Sequence, residues 1–292
     1  MNYDNEFLDC VERWINNSDD CDDRIYHAFD AFNNLFEKIN DNQRTITIKL
    51  LRNFNYYNHE SVSKIVASLS QKVRKEFSFD DDNSIVSIVR KKDGRVSSSV
   101  EYTTIHQNVG AFSSKIHYQD LTEITPEQWS HIDNILLIDD FSGSGNTITN
   151  YLKKCDKIFK QKKIVIILVE VMRGALESIR KYADNNQLDI EVVPYQIKDK
   201  AFKNEADNTI KGFEELSELL MIPSYLIKGQ YETESLVAFF NNTPNNTLGM
   251  FWYDTNNNNS LFPRKHDKKP SWQIMKKEKE KREYSHYESK CK

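Results

Sequence analysis

Residues 134–150, NILLIDDFSGSGNTITN, decide how the rest of the chain is read. Ile135, Leu136, Leu137 and Ile138 form an apolar run too short for a helix and rich in strand formers. Asp139 and Asp140 follow at once. The small residues Ser142, Gly143, Ser144 and Gly145 come next, and from Asn146 and Thr147 onward the pattern is helical. The order is strand, acidic pair, glycine-bearing loop, helix N-terminus. In an open α/β sheet, ligands bind outside the carboxyl ends of the strands, which puts a site here. Such a loop offers backbone N–H groups and the positive end of a helix dipole to an anion. The two aspartates repel an anion but accept hydrogen bonds from sugar hydroxyls, or hold a hydrated cation. A ribose carrying a 5-phosphate satisfies both halves.

The surrounding pattern extends the same architecture. Upstream, Asp80, Asp81, Asp82 and Asn83 make a break, and Ile85, Val86, Ile88 and Val89 then predict a buried strand. It runs into Arg90, Lys91, Lys92, Asp93, Gly94 and Arg95, followed by Ser97, Ser98 and Ser99 and a helix to about His106. The basic loop has two readings. It can hold a second anion such as pyrophosphate by charge and backbone N–H groups, or it can be an exposed turn of the Asp-Gly kind. Residues 108–131, polar and irregular around Pro126 and Trp129, read as a connection or lid. Downstream of the quoted run a helix reaches about Phe159. An apolar strand over 164–171 ends in Met172, Arg173 and Gly174, a helix continues to Asn185, and 188–193 gives one more strand. Alternating strands and helices predict a parallel sheet with right-handed crossovers. The fold class is therefore α/β, a parallel sheet flanked by helices, with its core over 79–198.

The flanks are of different composition. Phe7, Leu8, Val11, Trp14 and Ile15, then Ile25, Phe29, Phe32, Leu35, Phe36 and Ile39, have helical spacing, with Ser18, Asp19 and Asp20 offering N-cap chemistry between them. Val62, Ile65, Val66, Leu69 and Val73 mark a further helix. Residues 1–78 read as a helical cap, 199–263 as a C-terminal extension or hood with a low-complexity, mobile stretch at 256–259, and 264–292 as a flexible basic tail. Leu261, Phe262, Pro263 and Arg264 read as the last anchored piece. The tail from Arg264 holds eleven Lys and Arg against five Asp and Glu, whereas the whole chain is at −4. A solvated tail explains the asymmetry, and a nucleic-acid tether is the other reading. No run approaches the roughly eighteen apolar residues of a membrane span, and the start of the chain lacks a signal-peptide pattern. Cys10, Cys21, Cys155 and Cys291 lie far apart with no CxxC pair, which argues against a zinc site or disulfide framework and suits a reducing, cytoplasmic setting.

Several familiar loops do not fit the central run. A P-loop requires Lys after its second conserved glycine, where Asn146 follows Gly145. A dinucleotide fingerprint requires a third small residue where Ile148 stands. Receiver domains share the acidic pair but not the phosphate loop. The apolar run, Asp139-Asp140 and Ser144-Gly145-Asn146-Thr147 closely resemble the phosphoribosyl pyrophosphate (PRPP) motif of type I phosphoribosyltransferases. The stretch 231–253, with its Asn-Thr-Pro-Asn-Asn-Thr-Leu core, resembles a narrower group, the phosphoribosyltransferase-like effectors of bacterial conflict systems, including retron anti-phage loci. There a proline usually follows the leucine; Gly249 stands in its place.

What the resemblance implies is specific. Asp139 and Asp140, the catalytic pair, would face the ribose hydroxyls. Ser142, Gly143, Ser144, Gly145, Asn146 and Thr147 would cradle the 5-phosphate. Arg90, Lys91, Lys92, Gly94 and Arg95 would form the pyrophosphate loop. The resemblance does not identify an acceptor pocket, though Arg173 sits at a strand end suited to the acceptor. Mg²⁺ would accompany PRPP, with no metal ligand supplied directly by the chain. The implied reaction is transfer of phosphoribosyl, or cleavage of a related ribosyl bond, to a nucleotide, nucleic acid or protein. The implied partners are PRPP or a related ribose phosphate and a reverse transcriptase–nucleic acid complex or a DNA-binding protein encoded nearby, with no membrane; an oligomer is compatible with the sequence. Some purine-salvage members carry an aspartate as the acceptor's base where this chain has Gly143. His106 and His117 lie in the same general region, though such residues more often serve a core. A catalytically degenerate fold that senses PRPP or a nucleotide and regulates a partner is the alternative reading.

Overall fold

The computed structural model describes residues 2–15, 23–89, 99–119, 121 and 124–264. The N-cap residues expected at 18–20, the basic loop expected at 90–95 and the tail from 265 lie outside the described residues. The chain divides into two compact units, one of residues 1–58 and 204–292, the other of residues 59–203. The sequence reading places its boundaries at 78 and 198 instead. Periodicity shows that a helix has a buried face but not which surface receives it, and the helix after Asn58 is where this matters.

In the first unit, α1 (Tyr3–Ile15), α2 (Asp23–Phe36) and α3 (Asp41–Asn53) precede a short strand, β1 (Asn55–Tyr57). Helix α3 is closed by a reciprocal capping box between Asn40 and Gln43. The second unit begins with α4 (His59–Phe77), which has a buried face of Val62, Ile65, Val66, Leu69 and Val73 and packs against strands and a helix of this same unit.

The sheet of the second unit consists of β2 (Ser84–Ile88), β3 (His117–Tyr118), β4 (Asn134–Ser142), β5 (Lys163–Met172) and β6 (Asp189–Lys198). Its spatial order is β3-β2-β4-β5-β6 and every pairing is parallel. Helices α5 (Ser99–Asn108), α6 (Pro126–His131), α7 (Asn146–Lys154), α8 (Asp156–Phe159) and α9 (Arg173–Asn186) accompany the strands. This is the parallel, helix-flanked α/β fold the alternation predicts. Strands covered on both faces read as continuous apolar runs: all of β2 is buried, and so is β5 after Lys163. Each buried Ile, Leu or Val in these strands contributes about 1.5–3 kcal/mol. The break before β2 is a turn in which the Asp80 carboxylate accepts the Asp82 and Asn83 N–H groups at 3.0 and 2.9 Å.

Two departures have local causes. The segment 108–131 contains the edge strand β3 and helix α6. A two-residue strand has no period to detect, whereas α6 carries a legible start, the capping box of Thr125 and Gln128 with Pro126 at its first turn. Strand β6 runs past Pro194 to Lys198, because β6 is an edge strand, where a missing N–H is tolerated.

The first unit resumes after 203 with α10 (Asp207–Leu219) and β7 (Val237–Phe239), which pairs in parallel with β1. Its core is aromatic. Phe7 stacks on Phe32 at 3.9 Å, and Phe262 meets Trp14, Phe54 and Tyr56 at 5.3, 5.1 and 5.1 Å between ring centroids. Gly249 opens a 3-10 turn where a Cβ would stand 2.6 Å from the Leu226 carbonyl oxygen, so the close approach of two main chains excludes a side chain there. The Asn-rich stretch at 256–259, expected to be mobile, is tied down instead. Asn258 is buried and donates to the Met250 and Tyr253 carbonyls, both at 3.0 Å. Composition alone misses this, because an asparagine that satisfies backbone carbonyls looks in sequence like one that faces water. Among the described residues no helix is long and apolar enough to cross a membrane.

Candidate functional site

In chain order the sheet is arranged 2-1-3-4-5, so the strand order reverses between β2 and β4. Doubly wound sheets bind ligands at that crevice, outside the carboxyl ends of the strands. Asp139 and Asp140 lie within the last four residues of β4, beyond its register with β2 but still alongside β5. The strand runs on to Ser142 and does not stop before the acidic pair as the sequence suggests. Asp139 is buried and Asp140 half-buried. The Asp139 carboxylate accepts the N–H of Asp140 at 3.1 Å, and the Asp140 carboxylate accepts the N–H of Phe141 at 2.8 Å. Each side chain is thus steadied by the backbone that follows it. The two-residue pleat sends them to opposite faces. Asp139 continues the row of Ile135 and Leu137, which packs with Ile148, Leu152, Ala175 and Leu176 of α7 and α9.

Beyond Ser142 the chain turns through Gly143 and Ser144 into α7. Gly145 is the N-cap, in the left-handed region at φ 80°, and supplies no capping side chain; the Asn146 N–H reaches the Ser144 hydroxyl at 3.4 Å. The first N–H groups of α7 lack intrahelical acceptors, and Lys153 and Lys154 at its other end complement the dipole. A Cβ at Gly145 would meet the Ala175 carbonyl oxygen at 3.0 Å, so the first turn of α9 would have to give by a few tenths of an ångström on top of the strain the backbone angle imposes. The structure therefore brings Asp139, Asp140 and 142–147 together at one strand end, as a carboxylate pair beside a helix start whose N-cap is glycine. That arrangement suits a ligand with vicinal hydroxyls and an anionic group.

Ser99, the first residue of α5, is fully buried at the same crevice. Its hydroxyl accepts the Val89 N–H at 2.8 Å and donates to the Ile138 carbonyl, one residue before Asp139. Sequence reading gives it only as part of a serine-rich helix start. Glu170 also goes unnoticed by periodicity. It is level with Phe141 and Gln196 in the sheet, is fully buried, and is the one charged side chain in 164–172. A carboxylate inside an otherwise apolar parallel strand is a departure visible in the sequence.

Arg173 opens α9 at the end of β5, on the same side of the sheet, but its guanidinium is engaged. It donates to both carboxylate oxygens of Asp199, at 2.8 and 3.4 Å, and Lys203 reaches Asp199 at 2.9 Å. The Arg173 and Lys203 hydrogen bonds hold the Asp199 carboxyl below its ordinary range. Asp199, the residue after β6, has no counterpart in the sequence reading.

His106 and His117 are placed elsewhere. His117 pairs with Val86, two residues before the end of β2, and its Nε2 lies 2.9 Å from Nδ1 of His106. The Nδ1 of His117 faces the Ser113 carbonyl at 2.9 Å and must donate to it, so its Nε2 accepts from His106. Burial, and then the neighbouring His117, push the His106 imidazole down to about 3. The pair, a buried His106 against a half-buried His117, is a packing feature of this unit. A cleft of about 740 Å³ lined by Tyr3, Asp4, Phe36, Glu37 and Arg44 belongs to the first unit and contains no residue of the 134–150 run. Among the described residues no group of three or more His, Cys, Asp or Glu side chains is placed to hold a metal.

A family model described as PRTase-CE matches residues 11–264. Among solved structures, the chain is similar to the xanthine-guanine-hypoxanthine phosphoribosyltransferase of Helicobacter pylori, at 15% identity over 53% of this chain and 95% of that one, with a TM-score of 0.32. The AQ2163 protein of Aquifex aeolicus is similar at 9% identity over 59% and 84%, with a TM-score of 0.35. The orotate phosphoribosyltransferase of Aeropyrum pernix is similar at 9% identity over 55% and 78%, with a TM-score of 0.29. No curated protein matches the chain.

Proposed function

The chain belongs to the PRTase-CE family, and from that premise we propose that it binds PRPP at the end of β4 and transfers phosphoribosyl to a nucleotide, nucleic acid or protein acceptor. The phosphoribosyltransferase-like fold supports the reaction type. One observation carries the site: a carboxylate pair, Asp139 and Asp140, immediately followed by a loop that opens α7 at Gly145. The carboxylates accept hydrogen bonds from ribose hydroxyls, and the helix start receives the 5-phosphate. In the transfer, the acceptor bonds to C1 of the ribose and pyrophosphate leaves with the electrons of the broken C1–O bond. The transition state is oxocarbenium-like, so orientation and stabilisation of the leaving group supply most of the rate. Mg²⁺ would arrive with PRPP, keeping much of its water and bound by the substrate's own phosphates, so that it needs no direct ligand from the chain. It would neutralise the leaving pyrophosphate.

The Asp139→Ala, Asp140→Ala double variant tests the site. It is expected to fold and to lose PRPP binding by calorimetry; undiminished binding would remove the assignment. The biological setting proposed is bacterial anti-phage defence, in the cytoplasm, with a partner such as a reverse transcriptase–nucleic acid complex or a nearby DNA-binding protein. Its support is the resemblance of 231–253.

A second reading makes the protein a sensor of PRPP or a nucleotide that regulates a partner. Gly143 favours it, because no base stands where some relatives carry an aspartate, and His106 and His117 are engaged with each other away from the strand end. Pyrophosphate release measured over a panel of bases, nucleotides and nucleic acids separates the two.

A further inference from the structure

Within residues 229–234 the backbone enters the left-handed region at Gly229 (φ 74°), Tyr231 (59°), Glu232 (49°) and Glu234 (53°), and only the first of these is glycine. Tyrosine and glutamate disfavour that conformation, which persists only where the surroundings over-determine it. Here the asparagine-rich stretch 241–247 does so. The Gln230 N–H donates to the Asn245 carbonyl at 2.8 Å, and Asn246 Nδ2 donates to the Gln230 carbonyl at 3.0 Å. The hydroxyl of the buried Thr233 donates to the Asn246 carbonyl at 2.8 Å. A Cβ on Gly229 would stand 2.0 Å from that same Asn246 oxygen, so the two main chains abut. The Asn245-Asn246 pair therefore serves to hold one strained turn in shape.

What the turn displays is aromatic and acidic. Tyr231, in the 3-10 turn Gln230–Glu232, is 63% exposed, and Tyr225, in the 3-10 turn Ser224–Leu226 packed against it, is 73% exposed. Among the described residues these are the two most exposed of the large hydrophobic side chains. Residues 212–236 carry five Glu and a single Lys, Lys228. Lys228 Nζ meets Glu214 of α10 at 2.8 Å. The Glu214 hydrogen bond first, and then the charges of Glu234 and Glu232, hold the Lys228 ammonium above its ordinary range against the opposing effect of burial. The carboxylates of α10 and of the strained turn thus gather at one place, with Glu218 exposed one turn along α10. Nucleic acid stacks on exposed aromatic rings but needs Lys or Arg for its phosphates, and here the charge has the opposite sign. A guanidinium meets both features, since it lies over a tyrosine face and pairs with carboxylates through a planar fork. We propose that Tyr225, Tyr231, Glu218 and Glu232 form a docking surface for an arginine-rich segment of a partner protein. None of these residues belongs to the 134–150 run, so the docking and ribose-phosphate readings stand or fall separately.

The test is fluorescence anisotropy of a labelled nonaarginine peptide titrated with the full chain at about 0.15 M salt. The wild type is expected to bind it, and to bind nonalysine more weakly, because an ammonium makes no planar fork. The Tyr225→Ala, Tyr231→Asn double variant keeps every charge and is expected to weaken nonaarginine by about tenfold, the loss of two exposed cation–π contacts. Asparagine tolerates the left-handed backbone and Tyr225 is largely exposed, so the melting temperature should not fall. A marked fall together with lost binding would assign the tyrosines to the fold and overturn the proposal. Glu218→Gln with Glu232→Gln reaches the same surface by another route and is expected to weaken the peptide and flatten its salt dependence. A wild type that binds no nonaarginine, or binds nonalysine as tightly, would overturn the proposal, as would a double tyrosine variant that binds unchanged. Tyrosine-dependent binding of a labelled oligothymidine would overturn it in favour of a nucleic acid. A dimer in sedimentation velocity that the tyrosine variant dissolves would overturn it in favour of a second copy of the chain.

Discussion

The Ala175 carbonyl oxygen lies 3.0 Å from the position a Cβ on Gly145 would occupy. Gly145 also sits at φ 80°, so a side chain at the start of α7 is disfavoured on two independent grounds. Gly145→Ala is expected to cost about 1–2 kcal/mol from the left-handed backbone, with a further push of α7 away from α9. Thermal unfolding should register the loss of stability. Calorimetry should show PRPP binding weakened by about tenfold or more, as the amides at the helix start move. Unchanged affinity would mean that the 5-phosphate does not rest on α7.

The His106–His117 contact makes stability depend on pH in a direction that can be worked out. In the folded chain His106 titrates near 3, against an ordinary value of 6.5. The unfolded chain therefore binds the proton first. The contribution is fully present above about pH 6.5 and is lost as pH falls toward the folded value. By pH 5 the loss from His106 alone is about 2 kcal/mol. Burial also lowers His117 and His27, which act in the same sense. Urea unfolding near neutral pH and near pH 5 measures the slope, and His106→Asn, whose amide can replace the Nδ1 donor, should flatten it. A slope unaffected by that change would show that His106 is not the titrating group.

Asn258 fastens the end of the described chain through two donated bonds, to Met250 and Tyr253. Asn258→Asp would turn a donor into a buried anion facing two carbonyl oxygens, at a cost of about 3 kcal/mol or more. Asn256→Ser, at an exposed position two residues away, is expected to be neutral. Matched melting temperatures for the two variants would contradict the bonding assigned to Asn258.

Much of the local structure around the candidate site was legible before the fold. Asp139, Asp140 and the 142–147 loop are contiguous, and their meaning rests on a strand period, a turn composition and a helix start, all local properties. The apolar runs of β2, β4 and β5 announced a sheet covered on both faces. What escaped had a different character. Strand β3 is two residues long, α4 has an amphipathic face that would suit either unit, and Asn258 resembles the exposed asparagines around it. Arg173 stood at a strand end in the sequence, yet its partner Asp199 comes from just past the end of the neighbouring strand β6.

The amino-acid sequence by itself determined that residues 134–147 form a strand carrying an acidic pair and then a helix start, because each step there is governed by neighbours within one or two turns of chain. Only the tertiary structure decided how that strand end is set against β2. Ser99 and Ile138 are 39 residues apart, and one hydroxyl has no periodicity to reveal where it will land. Its place between two strand ends follows from packing α5 against β2 and β4, and that packing depends on the whole sheet being assembled.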